Sequence, residues 1–255
     1  FPSNPLFPTS GYKIALISRT PSSLTAFAET LNAAHGADTA AAFPVTQYTV
    51  PAIRSAFEEI EKVWPTVEGK SGIRFALWNA GSATWGGFLG ITEDQIQESV
   101  DVNIVGAFAF GQEVVKAILK STGEEEVKEG HRGSLLFTGA TAALRGGNGF
   151  SAFAAGKFGI RAIAQSIARE FGPQGIHSAH GAILNLLARG CKLTQIVTDR
   201  GLERSAGNEA ATARYQDPRV TLLPDSIAKA YLYLHEQDSS AWTQELDLRP
   251  SFEKF

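Results

Sequence analysis

The side chains best suited to chemistry in this sequence are an amide and an amine, each within a segment of helical periodicity. Asn103 shares a stripe with Val100 and Ala107, so its amide is predicted to point into the core, where a polar group needs hydrogen-bond partners. Backbone groups alone could also satisfy it. Lys157 follows Phe153 by four residues and lies on the same helix face, although a solvated helical lysine is the ordinary alternative.

The elements that must position these groups alternate along the chain. Short apolar runs precede segments in which apolar residues recur every three or four positions, the pattern of a strand followed by a helix. Apolar strands between helices favour a parallel sheet covered on both faces. We therefore predict a single-domain, doubly wound α/β fold whose strands are 13–18, 41–45, 73–78, 134–137, 176–184 and 242–248.

Several helix ends carry local signals. Pro51 suits the first turn of one helix, because proline lacks the N–H that the first turn leaves unused. Thr92 and Gln95 have the spacing of a capping box, which predicts the start of a long helix that ends near Lys120. Two further helices are predicted at about 150–171 and 225–235.

Composition narrows the classes of partner and location. The 255 residues carry a net charge of -3, which provides no basic surface for nucleic acid or for a membrane. No run of about 18 uncharged apolar residues is present, so no membrane span is predicted. The single cysteine, Cys191, excludes an internal disulfide and favours a reducing, cytoplasmic location.

Two irregular segments and one pair of histidines complete the predictions from sequence. Residues 1–10 contain three prolines and are predicted to be irregular, so that 11–255 form the domain. The stretch of about 186–223 is long for a connection in a compact domain and is interpreted as a segment that covers substrate. His177 and His180 are three apart in a predicted strand, so they point to opposite faces and no metal site is predicted.

The order of the polar residues is similar to that of the short-chain dehydrogenase/reductase family. Asn79, Ala80 and Gly81 directly follow a predicted strand, Asn103 lies in the next helix, and Lys157 lies in a later one. The resemblance is strongest to a fungal and bacterial branch of the family and covers about 11–255. It is carried by three stretches: FTGATA at 137–142, GFSAFAAGKF at 149–158 and WTQELDLRP at 242–250.

The resemblance implies a fold, an activity and an assembly. Members of the family are single-domain Rossmann-type enzymes that use NAD or NADP to oxidise alcohols or reduce carbonyl groups of small molecules. They form dimers or tetramers. In this chain the predicted helix 150–171 carries small residues, including Ala152 and Gly156, that permit the close helix approach of a homodimer.

For the catalytic centre the resemblance implies two matches and two departures. Asn103 corresponds to the asparagine that holds a water linked to the catalytic lysine, and Lys157 corresponds to the lysine that binds the nicotinamide ribose. The family tyrosine falls on Phe153, which has no ionisable group and cannot move a proton. The family serine falls on Ala140, and Thr141 would supply a hydroxyl if the loop register differed by one.

For the cofactor the resemblance implies an incomplete site. Arg19 is placed where a basic residue often faces the 2'-phosphate of NADP, and Asn79, Ala80 and Gly81 border the adenosine. A glycine-rich turn is expected before Lys13, but the sequence begins at the family's second strand. The missing first strand belongs in the middle of a sheet ordered 3-2-1-4-5-6, so its loss is expected to leave strand edges within the core.

Three functions remain open at this point. The first, ranked highest, is an NADP-preferring oxidoreductase that takes its proton from water organised by Lys157 and Asn103. The second is a non-redox protein of the same fold, namely a cyclase, a dehydratase or a ligand-binding protein. In either case Trp85 and Tyr215 lie in segments expected to border the pocket. The third is an inactive, structural or truncated relative.

Overall fold

The chain folds into alternating strands and helices. The computed structural model describes residues 11–67, 72–121, 130–183 and 222–252. The stretch 1–10, nearly all of 186–223, and Cys191 and Tyr215 with it, lie outside the described residues. The predictions made for those segments therefore stay predictions.

Strand and helix positions agree with the predicted order. The six described strands are β1 (Ile14–Ser18), β2 (Ala40–Pro44), β3 (Phe75–Trp78), β4 (Gly133–Thr138), β5 (Ile176–Ile183) and β6 (Glu245–Leu248). The six described α-helices are α1 (Pro21–His35), α2 (Val50–Val63), α3 (Glu93–Val100), α4 (Gly106–Ser121), α5 (Ser151–Phe171) and α6 (Pro224–His235).

The long helix predicted from Thr92 has an internal break. Its start is the predicted capping box, in which the Gln95 backbone N–H donates to Thr92 Oγ1 at 3.3 Å and the Thr92 N–H donates to Gln95 Oε1 at 3.0 Å. A π-helical turn, Asp101–Val105, then separates α3 from α4. Periodicity alone predicts one continuous helix, because a single extra residue barely disturbs the apolar stripe.

All described strand pairs are parallel, as predicted, but they form two sheets. One sheet has the order β1-β2 and the other has the order β3-β4-β5-β6. Among the described strands, none lies between β1 and β3. The division falls at the place of the family's first strand in the order 3-2-1-4-5-6.

The strands on either side of this division have the composition of interior strands. The sequences of β1 (IALIS) and β3 (FALW) contain no charged residue and no proline. The strands at the two outer edges differ, since β2 ends in Pro44 and β6 carries Glu245 and Asp247. Charge and proline protect exposed sheet edges from unwanted pairing, and here only the outer edges have that protection.

A shared core holds the two sheets together. Ile17 of β1 and Phe43 of β2 belong to the same apolar cluster as Trp78 of β3 and Phe137 of β4. On the opposite face of the larger sheet, α6 contributes Tyr231 to a second cluster. Helices therefore cover both faces, which confirms the predicted doubly wound architecture.

One described stretch, Glu93–Ser121, is long and apolar enough to cross a membrane. Just over half of its most apolar window, 56%, is buried inside the protein. Helices in protein cores have the same length and composition, so the predicted absence of a membrane span stays a prediction.

Candidate functional site

The candidate site lies at the carboxyl edge of the strands. Arg19 follows β1, Asn79 follows β3, and Ala140 follows β4 after one intervening residue. Because the strands are parallel, these positions share one edge, which is where open α/β sheets bind ligands. Beside them, Ala80 packs against the main core.

Asn103 lies in the π-helical turn and is fully buried, with no exposed surface. The turn is closed by the Gly106 N–H, which donates to the Asp101 carbonyl. The Asn103 Nδ2 donates to the Ser82 carbonyl and to Ser99 Oγ, both at 3.2 Å. The widened turn thus aims the amide inward, and such turns occur frequently at functional sites.

Ser99 connects this amide to helix α5. Its hydroxyl donates to the Ala152 carbonyl at 2.9 Å. The two helices approach closely because Gly156 has no side chain, and a Cβ there would lie 2.6 Å from Asn103 Nδ2. Ser99 was not among the predicted site residues, although its position four residues before Asn103 on the same helix face was an available signal.

The structure brings Lys157 next to Asn103. Lys157 is 2% exposed, and its Nζ donates to the Thr138 carbonyl at 2.9 Å. A Cβ placed on Gly81 would lie 3.2 Å from Lys157 Nζ and 3.7 Å from Asn103 Oδ1. The glycine therefore leaves space where the amine and the amide oxygen meet.

The polar atoms at this point have unused hydrogen-bonding capacity. Burial lowers the pKa of Lys157 from 10.5 to about 8, because an ammonium group loses its hydration inside the protein. Asn103 Oδ1 is buried without a hydrogen-bond partner in the described part of the chain. An amine with spare N–H groups beside a free acceptor fits a hydroxyl-bearing group such as the ribose of a nicotinamide nucleotide.

The two departures from the family pattern form an apolar wall. Ala140 and Phe153 are buried and pack together with Ala142 and Ala154. The Phe153 ring centre is 5.9 Å from Lys157 Nζ. Where the family has a hydroxyl and a phenol, this site has a methyl group and a phenyl ring.

Trp85 extends this wall toward solvent. Its ring centre is 5.7 Å from both the Phe150 and the Phe153 ring centres. The segment is held in place by the next residue, since the Gly86 N–H donates to the Gly149 carbonyl at 2.9 Å. Trp85 is nevertheless 56% exposed, so one part of its ring remains available for contact. Trp85 therefore lies beside Phe153, and its place at a ligand pocket stays a prediction.

Thr141 offers a hydroxyl near the wall. It begins a short 3-10 turn, Thr141–Ala143, and its backbone carbonyl accepts from the Leu144 N–H at 2.9 Å. Its Oγ1 is buried and has no hydrogen-bond partner among the described residues. A buried hydroxyl without a partner is costly, so a ligand oxygen that reached Thr141 Oγ1 would satisfy it.

Arg19 is occupied by a neighbouring carboxylate. Its Nη1 donates to Glu98 Oε1 at 2.8 Å, and its guanidinium carbon is 5.1 Å from the Tyr48 ring centre. Glu98 neutralises the positive charge that would attract a 2'-phosphate. The arginine thus lies at the predicted edge of the sheet but is not a free cation.

His180 is a second buried group that the sequence analysis did not place at the site. It is buried with its Nε2 lacking a hydrogen-bond partner in the described ranges, and a Cβ on Gly139 would overlap its ring. Across β4, Thr138 Oγ1 and Tyr231 Oη are 2.7 Å apart. These contacts depend on the sheet pairing, which spacing along the chain does not reveal.

The described residues contain no group of three or more His, Cys, Asp or Glu side chains that could hold a metal ion. His177 lies on the face of β5 opposite to His180 and its Nε2 contacts the Thr243 carbonyl at 2.8 Å. The absence of a metal site stays a prediction.

Comparison with known proteins identifies relatives. The sequence profile of the short chain dehydrogenase family matches residues 6–196. A short-chain dehydrogenase/reductase of Armillaria gallica is 29% identical over 195 residues, which cover 72% of this chain and 67% of that protein. The peroxisomal 2,4-dienoyl-CoA reductase of Saccharomyces cerevisiae is 30% identical over 188 residues, which cover 72% of this chain and 57% of the yeast protein.

A solved structure is also similar. The crystal structure of a short-chain dehydrogenase from Rhodopseudomonas palustris has a TM-score of 0.67 and 26% sequence identity to this chain. The similarity covers 96% of this chain and 89% of that one. The similarity therefore extends over nearly the whole chain.

Proposed function

This chain belongs to the short-chain dehydrogenase/reductase family, and we propose that it is an oxidoreductase that interconverts a small carbonyl compound and its alcohol with NADP or NAD. The observation that carries this proposal is the buried Lys157 amine beside the Asn103 amide, at a point left open by Gly81. Burying a lysine is costly. The buried position of Lys157 therefore supports a function for its amine at this site.

The polar groups of Lys157 and Asn103 define the proposed roles of these residues. The nicotinamide cofactor, when bound, supplies or accepts the hydride. Lys157 Nζ and Asn103 Oδ1 would hold its ribose hydroxyls and a water molecule. Lys157 Nζ, with a pKa of about 8, would exchange a proton through that water with the substrate oxygen. Because Phe153 cannot do this directly, we expect turnover lower by about 10² to 10⁴ than with a positioned acid.

We propose NADP ahead of NAD because Arg19 lies at the end of β1, where the family often binds the 2'-phosphate. Glu98 competes for the same guanidinium, so the preference would be small. A Glu98→Gln substitution removes the competing charge and should strengthen NADPH binding more than NADH binding.

The proposal is tested by titrating the full chain with NADPH and following the change in protein fluorescence. We expect saturable binding that a Lys157→Met substitution weakens at least about tenfold, because charge-assisted hydrogen bonds are lost. A Lys116→Met substitution is the matched control, since Lys116 is an exposed lysine on α4. Absence of binding by the unmodified chain, or equal binding by both variants, would refute the proposal.

A second function, ligand binding without redox chemistry, is favoured by the apolar wall of Ala140, Phe153 and their neighbours. Such a protein would bind a carbonyl compound and leave it unchanged. Product analysis after incubation with NADPH and a panel of carbonyl compounds distinguishes the two functions.

We also propose a cytoplasmic homodimer. The support for the assembly is the exposed apolar surface on the helices around the site, which includes Ile96, Phe108 and Phe158. Large exposed apolar surfaces commonly mark interfaces. The cytoplasmic location is proposed from the single cysteine.

A further inference from the structure

One side of the candidate site has lost its hydrogen-bonding side chains. Ala140, Ala142, Phe153 and Ala154 form a buried cluster, and Phe150 packs against it. A ligand that lies on this wall would find no polar partner there. Apolar ligand surface is therefore favoured on this side, since burying a polar group without a partner is costly.

The outer part of the wall is aromatic. Trp85 contacts the Phe150 and Phe153 rings with interplanar angles of 62° and 39°. Beyond it, Phe88 and Leu89 are 79% and 99% exposed. An indole ring supported by two phenyl rings presents a rigid surface on which a planar ligand can stack.

The inner end of the wall is polar. Lys157 Nζ lies 5.9 Å from the centre of the Phe153 ring, and Thr141 has its buried Oγ1 without a partner in the described ranges. Both groups can donate a hydrogen bond. Small-molecule sites commonly combine an apolar lining with a few polar groups that fix orientation.

We propose that this wall binds a planar, uncharged, conjugated ketone or aldehyde, with its ring system against Trp85 and its carbonyl oxygen toward Thr141 and Lys157. The inference rests on the site of the proposed function and names its substrate class. It does not depend on hydride transfer, because both contacts form in the absence of any nucleotide.

Binding of two neutral ketones to the full chain without nucleotide tests this inference. Acetylnaphthalene is planar and conjugated, whereas decahydronaphthyl methyl ketone carries the same carbonyl group on a puckered bicyclic ring system of the same carbon number. We expect calorimetry to show at least about tenfold tighter binding of acetylnaphthalene, because only the planar ring system can stack.

Three variants identify the contacts. Trp85→Ala should weaken acetylnaphthalene binding about tenfold, the loss expected for an aromatic contact. Thr141→Val, which keeps the shape of the side chain, should weaken acetylnaphthalene binding but leave naphthalene binding unchanged. Tyr233→Ala is the control, because it removes an exposed aromatic ring from α6 and should change neither.

The results also separate this inference from the redox proposal. Equal affinity for the two ketones, or unchanged acetylnaphthalene binding by Trp85→Ala with a thermal melt like that of the unmodified chain, would overturn the inference. If the ketone binds through Trp85 while NADPH does not bind, the inference stands and the redox proposal fails. If NADPH binds and the planar ketone does not, the redox proposal stands and the inference fails.

Discussion

At the scale of single residues, the site has the lysine and the asparagine of the family's proton-transfer groups, but it lacks the tyrosine and the serine. Lys157 and Asn103 meet beside Gly81, whereas Phe153 and Ala140 join an apolar cluster. With no phenol present, Lys157 is a titratable group beside the wall, with its Nζ 5.9 Å from the centre of the Phe153 ring. Its lowered pKa, about 8, brings it into the range useful for acid–base chemistry near neutral pH.

Reduction by this chain should depend on the protonation of Lys157. Because the amine must carry the proton that reaches the substrate oxygen, we expect kcat for reduction to be constant below about pH 7 and to fall as pH rises through about 8. A Lys157→Arg substitution should remove this titration, since arginine stays charged. Steady-state rates measured over this pH range test the prediction, and a rate that rises with pH would contradict the proposed role of Lys157.

The residue pattern alone predicted part of this site. Asn103 is buried as predicted, but Val100 of the same stripe is 38% exposed, so the stripe does not face the core along its whole length. The spacing of Phe153 and Lys157 correctly placed both side chains on the buried side of a helix. Ser99 and His180 were missed. Their importance arises from contacts with Ala152 and Gly139 on other elements, which no local spacing specifies.

At the scale of elements, the turn that follows β4 depends on a close contact with β5. Gly139 donates its N–H to the Gly181 carbonyl at 2.7 Å, and the ring of His180 occupies the space that a Cβ on Gly139 would need. The φ angle of Gly139 lies outside the left-handed region. The requirement for glycine is therefore steric and not conformational.

A double-mutant cycle tests this contact. We expect Gly139→Ala to lower the free energy of unfolding by about 1 to 3 kcal/mol, because the added methyl group overpacks the core. Combining it with His180→Ala should cost less than the sum of the two single changes, since the methyl group then enters vacated space. Urea unfolding measures both, and simple additivity would contradict the steric account.

Element boundaries could be predicted from sequence to within a few residues. The largest difference is at the last strand, predicted at 242–248 and observed as Glu245–Leu248. Trp242 leaves the strand to stack on His177, with ring centres 5.1 Å apart and an interplanar angle of 3°. Apolar character predicted a strand residue, and a tertiary contact determined its position instead.

At the scale of the whole molecule, buried histidines make stability depend on acidity. Ser134 Oγ lies 3.1 Å from His131 Nε2 and 2.9 Å from His235 Nδ1, and Tyr12 Oη lies 3.1 Å from His235 Nε2. Loss of hydration lowers the pKa of His131, with nearby His177 and Arg74 as smaller causes. It lowers the pKa of His235 to about 4, with His131, His177 and Arg74 again as smaller causes.

Acid should therefore unfold the protein. Burial also lowers the pKa of His180 to about 4. The unfolded chain binds protons near pH 6.5 while the folded chain resists them, so stability is full above about 6.5 and falls as pH drops toward about 4. We expect a His235→Gln substitution to reduce this pH dependence. Melting temperatures measured across this pH range test the prediction, and a melting temperature that does not change with pH would contradict it.

The proposed homodimer gives a prediction at the same scale. Phe158 on α5 is exposed, and we expect a Phe158→Asp substitution to produce monomers, because a charge cannot be buried in an apolar interface. Tyr233→Asp on α6 is the control, since it changes an exposed aromatic residue away from α5. Light scattering gives the masses, and a monomeric unmodified chain would refute the dimer.

The division of the fold into two sheets also belongs to this scale. Periodicity located β1 and β3 but could not show that no described strand lies between them. That expectation came from the strand order of the family, which defines which strands are neighbours in space. Local sequence patterns predict where strands begin and end. Which strands are neighbours in the sheet is known only from the fold.

The central claim is that the catalytic centre keeps its lysine and asparagine and lacks the hydroxyl and the phenol of the family, and an Ala140→Ser, Phe153→Tyr double substitution tests it most directly. The rate of NADPH-dependent reduction of acetylnaphthalene is measured, with Phe150→Tyr as a control that places a phenol on the adjacent ring. The account predicts a gain of at least about 100-fold in the double variant alone. A folded double variant that reduces the ketone no faster than the unmodified chain would contradict it.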